Sequence, residues 1–186
     1  ILVNSNISEI DGNEIYENLI KLKRCEWLIS VDAIGETYEY MRWPANWDTF
    51  YSNLLKIKSH VGSNKMGFNM VVTSINGLSI WDAVDLLLDS GFVENRISLV
   101  LYNNGAFDGA WDIRYMPVEY QKQVLERMDK SKYKNLIGWQ NTFDYISQLV
   151  YNKSEWPWKM LDQLDKFRNL NSRTIFPELY TYKDTQ

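Results

Sequence analysis

The apolar positions of this chain change period several times, and each change predicts an element. Ile1-Leu-Val-Asn-Ser-Asn-Ile7 reads as a short strand. Asp11 and Glu14 follow as an N-cap and third-position pair, predicting a helix with Ile15, Leu19 and Leu22 on one face. A second strand is expected over about Glu26 to Ala33, where Leu28, Ser30 and Asp32 share one face and Trp27, Ile29 and Val31 take the other. The first of these sets grows polar toward the carboxyl end of the strand. Gly35 opens a turn, and Pro44-Ala-Asn46 interrupts the chain before a helix carrying Trp47, Phe50, Tyr51, Leu54 and Ile57. After a turn at Gly62-Ser-Asn64 comes a strand from Met66 to Ser74. Ser79 with Asp82 then caps a helix bearing Ile80, Val84, Leu87 and Leu88, which Gly91 ends. Ile97 to Tyr102 forms a fourth strand that runs into Asn103-Asn-Gly105.

This alternation predicts an α/β fold: a partial β/α barrel of about four parallel strands with outer helices, occupying residues 1–108. From about Gly109 the period becomes helical, so residues 109–186 are expected to be a helical C-terminal extension packed on the sheet. Pro117 marks the first turn of a helix with Val124, Leu125 and Met128. Trp139, Phe143, Ile146 and Val150 line the next, and Pro157 starts a third with Met160, Leu161, Leu164 and Phe167. The stretch Thr174 to Tyr180 reads as an extended apolar piece, followed by a polar tail.

Composition narrows the function classes. The chain has 186 residues, with 20 basic and 24 acidic side chains and a net charge of −4. The basic residues are scattered, so nothing recommends a nucleic-acid partner. No apolar run approaches the roughly 20 residues of a membrane span, and no secretory leader is visible. The chain opens on Ile1, so it is expected to begin inside a longer reading frame or to have lost a tag. The single cysteine, Cys25, forms no internal bridge and fits a reducing cytoplasm. A Cys-His or Ser-His device would have to recruit His60, the one histidine, which lies in a polar helix-end or loop stretch, Lys56 to Asn64, and none is expected.

The candidate chemistry sits at the strand ends. If the strands are parallel, their carboxyl ends collect Asn4 and Asn6, Ser30 and Asp32, Thr73 and Ser74, and Asn103 and Asn104. Open α/β sheets and β/α barrels bind ligands at this edge. Strand ends also turn polar simply because chains bend there. Asp32 is the strongest member: a buried carboxylate must meet backbone N–H groups, Arg42 or a ligand, unless it caps the next helix. Glycine-rich phosphate loops and His/Cys metal spacings are absent from the sequence. Asp108, Asp112 and Arg114 around Trp111 read as a solvated loop, and Asp162, Asp165 and Lys166 as a solvated helix face.

The passage Ser30-Val-Asp-Ala-Ile-Gly-Glu-Thr-Tyr-Glu-Tyr-Met-Arg-Trp-Pro44 resembles a segment of radical S-adenosylmethionine proteins, particularly a phage and marine-bacterial group that carries a short twitch extension. Asn4-Ser-Asn6 is similar to that group's Asn-Thr-Asn strand end, and Trp47 to the aromatic after its Arg-x-Pro stretch. Leu164-Asp-Lys-Phe-Arg-Asn169 and Ile175-Phe-Pro-Glu-Leu179 are similar to its C-terminal motifs, so the resemblance runs in order over nearly the whole chain. It implies S-adenosylmethionine at the strand ends, with Ser30 and Asp32 on the cofactor-facing strand and Asn6 near the same crevice. Arg42 would contact cofactor or substrate, or form a local salt bridge. Ala33 stands where the family usually has glycine.

The family's radical chemistry needs three thiolates from a Cys-x-x-x-Cys-x-x-Cys loop, and one cysteine does not hold a [4Fe–4S] cluster in that way. The resemblance therefore implies the C-terminal portion of a radical enzyme, unable to generate a radical alone, with no catalytic residue or metal ligand assigned on this chain. A truncated barrel would expose a sheet edge, predicting self-association or an N-terminal partner segment beside Ile1 to Asn6. The alternative is a standalone, non-catalytic binding or scaffold domain using the crevice for a small molecule or peptide.

Overall fold

Short apolar runs separated by helical segments pair into a ladder that frames the molecule. The computed structural model describes residues 1–10, 12–22, 24–102 and 111–183. Strands β1 (Leu2–Ser5), β2 (Glu26–Ser30), β3 (Met66–Val72) and β4 (Ile97–Leu101) form an open four-stranded parallel sheet in the order β1-β2-β3-β4. The register sets Val3 beside Trp27, Ile29 beside Phe68 and Met70 beside Leu99. Helices α1 (Glu14–Leu19), α2 (Gly35–Met41), α3 (Trp47–Val61) and α4 (Ile80–Asp89) lie between the strands in sequence. Helices α5 (Val118–Met128), α6 (Trp139–Ser147), α7 (Trp156–Arg168), α8 (Ser172–Ile175) and α9 (Pro177–Lys183) follow β4. The chain is therefore an α/β protein. No described helix is long and apolar enough to cross a membrane.

The two faces of the sheet differ as the period-two pattern demands. Trp27, Ile29 and Val31 join Phe68, Met70, Val72, Ile97 and Leu99 in one buried cluster with Phe50, Leu54 and Ile57 of α3 and Ile80, Val84 and Leu87 of α4. Aromatic edges knit this layer: Tyr16 lies 5.0 Å from Trp27 and Phe68 lies 4.8 Å from Phe92, ring centre to ring centre. On the opposite face Leu28, Ser30, Asn69, Val71 and Ser98 are half-buried, and Leu2, Asn4, Glu26 and Val100 are exposed. Each fully buried aliphatic or aromatic side chain contributes about 1.5–3 kcal/mol, so the covered face dominates stability.

Several elements depart from the sequence reading. The cap of α1 is Asn13, whose side chain accepts from the Tyr16 N–H. Helix α1 consequently buries Tyr16 and leaves Ile15 73% exposed, with Leu22 exposed beyond it, so of the predicted Ile15–Leu19–Leu22 face only Leu19 packs against the core. Asp11 lies outside the described residues. Ser79 does occupy the N-cap of α4, but its side chain makes no capping hydrogen bond. The segment after Gly35 is a helix, α2, and the segment expected to be extended at 174–180 is instead the end of α8 and most of α9. Pro177 opens α9, where its missing N–H costs nothing and its fixed φ suits a first turn.

One contact closes the far edge of the sheet. Ile137 makes a single parallel bridge to β4, donating its N–H to the Ile97 carbonyl at 2.9 Å and accepting from the Leu99 N–H at 2.8 Å. Gly138 follows at φ 77°, and a Cβ there would sit 2.3 Å from the Leu99 carbonyl oxygen. Only glycine fits this approach of loop to strand.

Candidate functional site

The carboxyl ends of β2 and β3 are tied together by buried polar side chains. Val31 continues the ladder past β2 by donating to the Asn69 carbonyl at 3.2 Å. Asp32, next in sequence, is 6% exposed. Its Oδ1 accepts from the Val71 N–H at 2.7 Å, and its Oδ2 is ion-paired with Arg42 at the end of α2. The carboxylate thus meets two of its expected partners, a backbone N–H and Arg42. It does not cap α2, whose N-cap is Ile34 with no side-chain hydrogen bond.

Asn76 completes the arrangement. Its Nδ2 donates to the Asp32 carbonyl and to the Val71 carbonyl, both at 2.9 Å. Its Oδ1 accepts from the Thr73 N–H at 2.7 Å and from the Thr73 Oγ1 at 2.8 Å. A fully buried amide making four such bonds latches one strand end to the other, and in a low-dielectric interior each is expensive to leave unmade.

Above these strand ends lies a cavity of about 350 Å³, within the size range of small-molecule sites. Asp32, Val71 and Thr73 form its floor, with Tyr102 and Trp111 beside them. Tyr40 and Met41 of α2 and Met160, Leu164 and Arg168 of α7 close it from the other side. The C-terminal helices therefore complete the site as well as packing on the sheet.

A second polar hub fixes that wall. The Tyr40 hydroxyl donates to Asp165 Oδ1 at 2.9 Å, while Asp165 Oδ2 accepts from the Ser172 N–H at 2.9 Å and the Ser172 hydroxyl at 2.7 Å. Arg168 donates to the Tyr40 carbonyl and lies over the Tyr40 ring, 5.3 Å from its centre. Burial, reinforced by the Asp165 carboxylate, pushes the Tyr40 phenol well above its ordinary range. Asp165 is thus a junction of α7, α8 and α2, not part of a solvated face. Asp162 and Lys166 are exposed as expected.

The other sequence candidates are placed as follows. Asn6 is exposed and its Oδ1 accepts from the Ser8 hydroxyl at 3.1 Å, apart from the cavity. Ser30 is half-buried beside Asn69 on the open face and does not line the cavity. Asn103, Asn104 and Asp108 lie outside the described residues. Asp112 is buried and held by Arg114 Nη2 at 2.6 Å and the Tyr145 hydroxyl at 2.7 Å, so Asp112 and Arg114, expected in a solvated loop, form a closed ion pair. Cys25 is buried at the amino end of β2, and burial raises its thiol pKa. His60 is exposed and bonds to the Lys56 carbonyl one helical turn earlier.

No cluster of three or more His, Cys, Asp or Glu side chains suited to a metal ion occurs among the described residues. Sequence reasoning missed Asn76, Tyr40 and the α7 wall. The spacing Thr73-Ser-Ile-Asn76 directly after a strand was the available signal for the latch, since Asn side chains bond to nearby turn backbone. Fold and site together define an α/β protein with a small cavity at the carboxyl ends of its parallel strands. Comparisons with protein-family models, curated proteins and solved structures gave no match.

Proposed function

We propose that this chain binds a small molecule at the carboxyl ends of its strands, as the C-terminal portion of a radical S-adenosylmethionine-like partial barrel that performs no radical chemistry by itself. The observation that carries this reading is the cavity walled by Asp32 and Thr73 on one side and α7 on the other. The sequential strand order and the one-sided burial of the sheet support a partial barrel, because the right-handed crossovers expected of parallel connections place consecutive helices on one face.

S-adenosylmethionine suits the lining. Trp111 and Tyr102 supply aromatic surface for its adenine, and Thr73 and Asp32 supply polar atoms. An iron–sulfur cluster does not suit this chain, whose single thiol is buried at the opposite end of β2. The internal pairing of Asp32 favours binding over catalysis, and it also supports the second reading, a standalone binding or scaffold domain. In either case β1, hydrogen-bonded on one side only among the described strands, with Leu2 and the preceding Ile1 exposed, is the edge where a partner segment or a second copy would add.

Titration calorimetry with S-adenosylmethionine tests the proposal. Binding to the wild type should weaken at least about tenfold in Met160→Trp, which fills the cavity, and also in Asp32→Asn. Equal binding by all three proteins, or none by the wild type, would contradict it.

A further inference from the structure

The charges around the cavity are unequally committed. Arg42, Arg96, Arg114 and Arg127 each pair with a carboxylate. Arg168 lines the cavity, yet makes no ion pair with any described residue. It donates to the Tyr40 carbonyl and lies over the Tyr40 ring, and its Nε is buried without a hydrogen-bond acceptor among the described residues. The nearest carboxylate in sequence on its own helix, Asp165, is engaged by the Tyr40 hydroxyl and by Ser172. Across the cavity the Asp32 carboxylate is already matched by Arg42 and the Val71 N–H. The lining thus holds one acid neutralised internally and one guanidinium without a counter-charge among the described residues. A cation kept half out of water favours an anion, and guanidinium pairs with planar or tetrahedral oxyanions through charge-assisted bonds. The rest of the wall, Trp111, Tyr102, Met160 and Leu164, is flat or flexible apolar surface.

We infer that the cavity selects ligands joining a flat aromatic body to an oxyanion, with Arg168 as the anion contact and Trp111, Tyr102 and Met160 as the walls for the ring. The inference rests on the reading of this cavity as the ligand site, and it adds the chemical class the site accepts. A carboxylate and a phosphate monoester share the required chemistry.

The test uses 2-naphthoate, 2-naphthyl phosphate and the neutral isostere 2-naphthamide, titrated into the full chain and followed by NMR. Wild type should bind an anionic probe about tenfold or more tightly than the amide, the scale of one charge-assisted contact. Comparing the two anions distinguishes a carboxylate site from a phosphate site. Arg168→Gln should erase the preference, Arg168→Lys should retain part of it, and Met160→Trp should abolish binding of all three. Preference for the amide, equal binding of amide and anions by the wild type, or an anion preference that survives Arg168→Gln would overturn the inference. So would failure of every probe to bind. If S-adenosylmethionine still binds in a Met160→Trp-sensitive way while these probes show no anion preference, the site stands and only its anion selectivity falls. Should Arg168→Gln not fold, the wild-type comparison alone decides.

Discussion

At the amino ends of the strands the interior is closed by apolar atoms: Cys25, Met66 and Ile97 are fully buried, and the charges there, Glu26 and Arg96, form a solvent-facing pair at 3.0 Å. At the carboxyl ends the interior admits Asp32, Thr73, Ser74 and Asn76, all buried, and beyond them the Tyr40–Asp165–Ser172 junction. One sheet therefore ends in two kinds of chemistry. Burying polar groups costs free energy unless each finds a partner, so a fold needing only stability would use apolar closure at both ends. The polar networks lie beside the cavity and hold its floor and wall, which is where a binding site needs rigidity.

The contrast yields a ranked set of outcomes. Trp27→Ala, in the covered face near the amino ends, should cost about 3–5 kcal/mol in urea unfolding, yet leave the cavity's ligand preference intact wherever the variant remains folded. Asn76→Ala should cost less, about 2–4 kcal/mol, because it strands two carbonyls and the Thr73 donors. It should also weaken ligand binding, which the Trp27 variant should not. If Asn76→Ala spares binding, the latch does not shape the cavity.

Tyr38 sharpens the comparison through pH. It packs between Trp47 and Phe50 in α2 and α3, and burial pushes its phenol from an ordinary value near 10 up to about 12. The folded state thus holds this proton more tightly than the unfolded chain. Its contribution is complete below about pH 10 and is lost as pH rises toward 12. Because the hydroxyl has no hydrogen-bond partner among the described residues, Tyr38→Phe should unfold at nearly the wild-type urea concentration at pH 7. Between pH 10 and 12 it should lose stability less steeply, and parallel losses would refute that assignment. The smallest effect belongs to the amino-end pair: Glu26→Gln should change stability by less than about 1 kcal/mol, as exposed ion pairs do.

Legibility in the sequence followed the same division. Trp27, Ile29 and Val31 alternate with Leu28, Ser30 and Asp32, and that period of two placed the core face and the polar face of β2 correctly. The parallel α/β architecture followed from such runs alternating with helices. Asp32 was legible because a carboxylate at the end of an apolar strand demands partners. Asn6 looked equivalent by position, but β1 is the edge strand, so its end faces solvent. Asp165 and Asp112 were misread for a shared reason: charge spacing along a helix or loop says nothing about which distant hydroxyl or guanidinium arrives over it. Tyr40 is 125 residues from Asp165, and Tyr145 is 33 from Asp112. Pro177 lies in a stretch that reads as extended from its apolar run, yet it begins a helix here.

The most direct test of the central claim is to map backbone amide shifts while S-adenosylmethionine is titrated into the isotope-labelled chain. The strand-end account predicts that the largest changes fall on Asp32, Thr73, Asn76, Trp111 and Met160 to Arg168, with Cys25, Glu26 and Arg96 at the amino ends unmoved. Changes centred on the amino ends, or no saturable change anywhere, would contradict it.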